Sequence, residues 1–216
     1  DIGNSAIKWR TSDSKVFSED IENFSVTALN QSSTAWLSAV AHSEIVQEIS
    51  THFGAINIIK PHKRFGNLTL SYDDPSMLGA DRFSAMLGAI NHFPNTPLLI
   101  IDIGTAITFD VVDKTGLHHG GLIMPGIKAL RGSFEKFKTS DLSLHLKSLA
   151  NNTDDAWKQG TYAMMIGSIN YQIENFQSNF SDGVVTACGG VVQEIKKELP
   201  KSIELFDNLV LDGLES

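Results

Sequence analysis

The chain alternates short apolar runs with polar breaks, and the runs come in two periods. "SAIKWR", residues 5–10, and "AITFDVV", residues 106–112, alternate or run apolar as strands do. Each follows the same three residues, "DIG", at 1–3 and again at 102–104. Two β-hairpins are therefore predicted, each with "DIG" at the bend between strands. After the second hairpin, residues 114–116 read as a turn, "LHHGGLIMPG" at 117–126 as a third strand, and residues 127–137 as a helix. In the first half, "STAWLSAVA" (33–41) and "AINIIK" (55–60) read as strands, with helices over 42–53 and 80–92. The second half adds a long helix over 154–178, the strand "VVTACGG" (184–190), a helix over 191–198 and a last strand in "NLVLDGL" (208–214).

Strands alternating with helices give layered α/β lobes. The expected division is 1–94 and 95–216, and the polar stretches 28–34 and 138–153 read as loops with conformational freedom. By analogy with "PLLIIDIG", residues 97–104, a short apolar strand is expected ahead of Asp1.

The two hairpins match beyond "DIG". Ser5, Ala6, Ile7, Lys8 and Trp9 correspond to Thr105, Ala106, Ile107, Thr108 and Phe109 once Asn4 is allowed as one extra residue. A single "DIG" is a common turn, since Asp and Gly both favour bends. Two with matching continuations point to an internal duplication.

Composition narrows the field. With 42% hydrophobic and 19% charged residues the chain is an ordinary globular one, and a net charge of −8 disfavours nucleic acid and anionic membrane. No apolar run approaches the about 18 residues that cross a bilayer. The single cysteine, Cys188, excludes an internal disulfide and suggests a reducing compartment. No secretory leader is legible, so the cytoplasm is the default expectation.

The candidate chemistry is phosphate chemistry. Glycine at a hairpin tip removes the Cβ that would hold a ligand off the backbone, the hydroxyl of Ser5 or Thr105 adds a donor, and the aspartate faces the same place. There it could hold a hydrated cation that offsets phosphate charge. Two such hairpins, one per lobe, would clamp a polyphosphate across the cleft between the lobes. In "YDDPSMLGADRFSAMLGAI", residues 72–90, Pro75 and Gly79 break structure just before a helix, placing Asp81 and Arg82 in its first turn. Asp81 there reads equally as a helix N-terminal residue or as the base that accepts a hydroxyl proton. Gly189-Gly190 suits either adenine approach or close packing, and "GGLIMPG", residues 120–126, either phosphate or a bend. His118-His119 is a poor metal pair, because adjacent strand positions face opposite ways. Trp9, Trp36, Trp157 and Met164-Met165 read as packing, and Cys188 as a buried thiol.

Taken in order, "DIGNSAIKWR", "LGADR", "DIGTAITFD", "GGLIMPG" and "GG" at 189–190 resemble the motifs of type III pantothenate kinases over nearly the whole chain. These belong to the superfamily of acetate and sugar kinases, Hsp70 and actin. The resemblance implies duplicated ribonuclease H-like, actin-like ATPase lobes with mixed sheets flanked by helices. It implies ATP contacts from Asp1, Ile2, Gly3, Asn4, Ser5, Ala6, Ile7, Lys8 and Thr105, and adenosine contacts at Gly189 and Gly190. Asp81 becomes the proton acceptor, and pantothenate meets Tyr72, Gly79, Ala80, Asp81, Arg82 and Thr161. Asp102 holds a monovalent cation, K⁺ or NH₄⁺. Asp1 is the candidate for Mg²⁺, through water or directly. A homodimer is implied as well. Ser5 stands where Thr is common, Phe83 where Trp is, and Cys188 where Thr often precedes the double glycine. Two other readings follow from the same scaffold: a non-catalytic regulatory protein, and another small-molecule kinase such as an acetate or sugar kinase.

Overall fold

The computed structural model describes residues 1–29, 34–144 and 149–216; parts of the two expected loops, at 30–33 and 145–148, lie outside the described residues. Two compact units emerge. The first comprises Asp1–Pro94, Gly116–His118 and Asn208–Ser216, and the second Asn95–Thr115 and His119–Asp207.

In the first unit, β1 (Ala6–Arg10) pairs antiparallel with β2 (Val16–Asp20), and β3 (Thr34–Leu37) pairs parallel with β4 (Ala55–Ile58) through helix α1 (Ser43–His52). Ile2 joins the two pairs, bridging Ile7 in antiparallel sense and Ala39 in parallel sense. Its N–H donates to Ser38 at 2.8 Å and its carbonyl accepts from Val40 at 3.3 Å. The order across the unit is thus β4, β3, Ile2, β1, β2. Ile2, Ile7, Leu37 and Ile49 form a buried cluster within it. A cavity of about 400 Å³ opens between β1 and β3, lined by Ile7, Trp9, Ala35, Trp36 and Leu37 among others. A small hairpin of β5 (Arg64–Phe65) and β6 (Leu68–Thr69) precedes helix α2 (Ala80–His92).

The second unit repeats that order. Its sheet runs β11 (Glu204–Leu205), β10 (Val184–Cys188), β7 (Leu98–Ile103), β8 (Ala106–Val112), β9 (His118–Pro125). Strand β7 pairs antiparallel with β8 and parallel with β10, and β10 parallel with β11. Helix α5 (Val192–Ile195) lies between β10 and β11 as α1 lies between β3 and β4. Leu98–Ile101 are all buried, as a central strand requires. Helices α3 (Ile127–Gly132) and α4 (Thr153–Asn179) cover this sheet. Met165, Ile166, Ile169, Ile173 and Phe176 recur at helical spacing and bury one stripe of α4. Asn152 caps α4 by accepting from the Asp155 N–H at 2.9 Å.

Two expectations need correction. Residues 127–137 do not form one helix: α3 ends at Gly132 and a separate 3₁₀ turn covers Glu135–Phe137. "NLVLDGL" is not a strand but helix α6 (Leu209–Leu214), packed on α2 in the first unit. A short apolar run does not distinguish strand from buried helix by itself. Here close packing decides: a Cβ at Gly213 would fall 1.8 Å from the Ser84 carbonyl oxygen, and one at Gly88 2.4 Å from that of Leu209. Asp212 then accepts from Arg10 Nη2 at 2.6 Å and faces His92 at 3.0 Å.

Candidate active site

The two acid-glycine bends share a backbone plan. In the first unit Asp1 and Lys8 exchange hydrogen bonds, Asp1 N–H to Lys8 carbonyl at 2.8 Å and Lys8 N–H to Asp1 carbonyl at 2.9 Å, with Ile2 opposite Ile7. In the second, Asp102 faces Thr108 and Ile103 faces Ile107. The first loop is longer by one residue, which is Asn4. Gly3 N–H donates to Ala6 at 3.0 Å and Gly104 N–H to Ala106 at 2.9 Å, so both glycines close their own turns. Asn4, Ser5 and Thr105 stand exposed at the tips, whereas Ile2 and Ile7 are buried. One oxygen of Asp1, Oδ1, is buried with no hydrogen-bond partner among the described residues. An orphan carboxylate oxygen of this kind suits a cation or its water.

In the second unit, three of the motifs meet at the bend. A Cβ on Gly126 would lie 2.3 Å from the Gly104 carbonyl oxygen and 2.6 Å from that of Thr105. Gly126 N–H donates to Thr105 at 3.1 Å. Gly189 has φ of 103°, and a Cβ there would lie 2.4 Å from Asp102 Oδ1 and 2.5 Å from the Ile103 carbonyl oxygen. Glycine is thus required at 189 by conformation and by space. Gly190 is exposed, and a Cβ at that position would meet none of the described residues within 4 Å, leaving its backbone approachable. Cys188 is buried, as expected of an unreactive thiol.

Asp81 sits in the first turn of α2 in the first unit. Its Oδ1 accepts from the Arg82 N–H at 2.7 Å and lies where a Cβ on Gly79 would be, 2.4 Å away. That Cβ would also touch Val40 Cγ1 at 3.7 Å, and Val40 is the residue that binds the Ile2 carbonyl. Val40 therefore stands close to the Asp81 turn while bonding to the Asp1 bend within this unit. Arg82 is buried rather than solvated and donates to the Tyr72 hydroxyl at 3.2 Å. Ala80 is buried beside it.

Thr161 is buried on α4 in the second unit. Its hydroxyl donates to the Trp157 carbonyl at 2.8 Å and accepts from Arg131 Nε at 3.4 Å. Arg131, which no sequence motif singles out, is 1% exposed and also donates to the carbonyls of Asp141, Ser143 and Lys158 at 2.6, 3.0 and 3.2 Å. Burial pulls its guanidinium below the usual value, and the nearby Asp141 charge opposes that shift. His118, which the sequence offers only as a poor metal ligand, is fully buried, while His119 is half-exposed and faces Asp113, the alternation expected of a strand. Among the described residues no group of three or more His, Cys, Asp or Glu side chains could hold a metal ion, and no helix is long and apolar enough to cross a membrane.

Similarity to known proteins agrees with this geometry. A protein from Campylobacter jejuni assigned to the Baf family of transcriptional activators matches 99% of this chain and 93% of its own, at 21% identity and a TM-score of 0.66. A Listeria monocytogenes protein described as an N-acetylmannosamine kinase matches 99% of this chain and 94% of its own, at 12% identity and a TM-score of 0.50. At those identities the likeness is one of fold alone. The type III pantothenate kinase of Albidiferax ferrireducens is 33% identical over 159 residues, 68% of this chain and 60% of that relative's length. That of Colwellia psychrerythraea is 30% identical over 207 residues, 86% of this chain and 82% of the relative. Residues 1–175, which carry both bends, the Asp81 turn and Thr161, match the family model for type III pantothenate kinase, and the chain belongs to that family.

Proposed function

We propose that the chain phosphorylates the terminal hydroxyl of pantothenate with ATP, the first step of coenzyme A synthesis. The observation that carries this reading is the turn at Gly79–Arg82, where Asp81, its carboxylate bound to the Arg82 backbone N–H, and the buried Arg82, its guanidinium bound to Tyr72, are consecutive at the start of α2 in a member of this kinase family. Arg82 is suited to the substrate carboxylate, since its planar fork pairs bidentately, and Tyr72 fixes the fork by accepting from Nη1. Asp81 orients the substrate hydroxyl and takes its proton as the hydroxyl oxygen bonds to the terminal phosphorus. The bond from that phosphorus to the bridging oxygen breaks and ADP leaves. Gly79 and Ala80, in the same turn, supply further pantothenate contacts.

In the first unit Asp1–Lys8 are suited to phosphate; in the second, Thr105 is suited to phosphate and Gly189-Gly190 to adenosine. The partnerless Oδ1 of Asp1 fits a hydrated Mg²⁺. Asp102, with only glycine tolerated beside its Oδ1, fits a monovalent cation. Such cations, when bound, offset polyphosphate charge. A homodimer acting in the cytoplasm belongs to the same reading. A purely regulatory role is disfavoured, because Asp1, Asp81, Arg82 and Asp102 are all intact and the net charge of −8 opposes direct DNA contact.

A coupled assay of ADP release with pantothenate, acetate and glucose, with and without K⁺, tests the proposal. Release with pantothenate alone, dependent on K⁺, is expected. Release with glucose or acetate instead would reassign the substrate, and no release with any of them would favour a binding role.

A further inference from the structure

We infer that His118 is a positioning residue for the substrate-carboxylate site, acting through Tyr72 on Arg82; this rests on the pantothenate reading above. The chain of contacts lies within the first unit. The His118 ring is fully buried at the start of β9 and stacks on the Tyr72 ring, centroids 5.9 Å apart and planes 17° from parallel. Its Nδ1 lies 3.3 Å from the hydroxyl of Ser71, the residue next to Tyr72. Tyr72 in turn accepts from Arg82 Nη1 at 3.2 Å. The segment that carries Tyr72 is otherwise irregular, between β6 and the 3₁₀ turn at Pro75–Met77, so no ladder of its own fixes the ring. A buried imidazole that stacks on the tyrosine and reaches its neighbour's hydroxyl supplies that restraint. An offset-stacked ring pair contributes orientation as well as area. A buried imidazole also needs a polar partner, which Ser71 provides.

The consequence is specific. Loss of His118 frees the Tyr72 ring, and the Arg82 fork loses its fixed orientation, which weakens carboxylate recognition while leaving nucleotide binding and proton transfer in place. His118→Ala is expected to raise the KM for pantothenate about 10- to 100-fold with kcat reduced less than threefold and the KM for ATP unchanged. His118→Phe, which keeps a flat ring for the stack, should recover most of that loss. With pantothenol, which has no carboxylate, wild type and His118→Ala should have equal kcat/KM.

Equal losses on pantothenate and pantothenol, or a fall in kcat alone, would overturn the inference and leave His118 a packing residue. Wild-type protein inactive on pantothenate would instead refute the function itself. The positioning claim is then read from thermal melts: the drop caused by His118→Ala should be smaller in a Tyr72→Ala background than in wild type. Equal drops in the two backgrounds overturn it whatever the assay shows.

Discussion

Gly189 illustrates how a single residue links the backbone to the chemistry. Its left-handed φ of 103° and the 2.4 Å approach of Asp102 Oδ1 mean that any side chain there is strained and displaces the carboxylate. Gly190 next to it has open space. Gly189→Ala is therefore expected to cost at least about 2 kcal/mol in urea unfolding, and Gly190→Ala to stay within about 0.5 kcal/mol. If Gly190 admits adenine, its alanine variant should still raise the KM for ATP. Comparable unfolding midpoints for the two variants would show that the bend at Asp102 does not depend on this contact. The double glycine is visible in the sequence, but the division of labour is not, because it depends on a strand 87 residues earlier (189 − 102).

At the scale of elements, the described part of the loop expected at 138–153 is tied down by side chains. Arg131 reaches the carbonyls of Asp141 and Ser143, and Lys158 of α4 pairs with Asp141 at 3.2 Å. Hydrogen bonds from Ser143, then from Lys158, hold the Asp141 carboxyl well below its ordinary value of 3.8. A depressed carboxyl pKa contributes stability that is complete above the unfolded-chain value and is lost as pH falls through the folded one. The gap between the urea midpoints of wild type and Asp141→Asn should therefore hold from pH 7 to about 5 and narrow progressively below 3.8. A gap as wide at pH 2.5 as at pH 7 would refute the tether. Element limits were legible where start and stop signals were local: α2 begins right after Gly79, and β7 and β8 flank the second bend as expected. α6 was not legible, since its helical form depends on packing against α2 from more than 100 residues away in sequence (Gly213 against Ser84).

Across the whole molecule, the duplication read from two short motifs extends to the full strand order of both units, with Ile2 in the place that β7 holds in the second. The polar residues of the candidate site were legible because the motif spacing brings them out. The buried groups beside them, His118 against Tyr72 and Arg131 against Thr161, were not. Their partners come from other elements, and nothing local in "LHHGG" or "KALRG" announces burial. The reading of the chain as a working kinase depends above all on Asp81. Its most direct test is the rate of 4′-phosphopantothenate formation by wild type and Asp81→Asn at saturating ATP and pantothenate, with melting curves for both. The account predicts a loss of about 10²- to 10⁴-fold with an unchanged melt, because Asn keeps the hydrogen bond to the Arg82 N–H but cannot take the proton. An Asp81→Asn protein that turns over within a few-fold of wild type would contradict it.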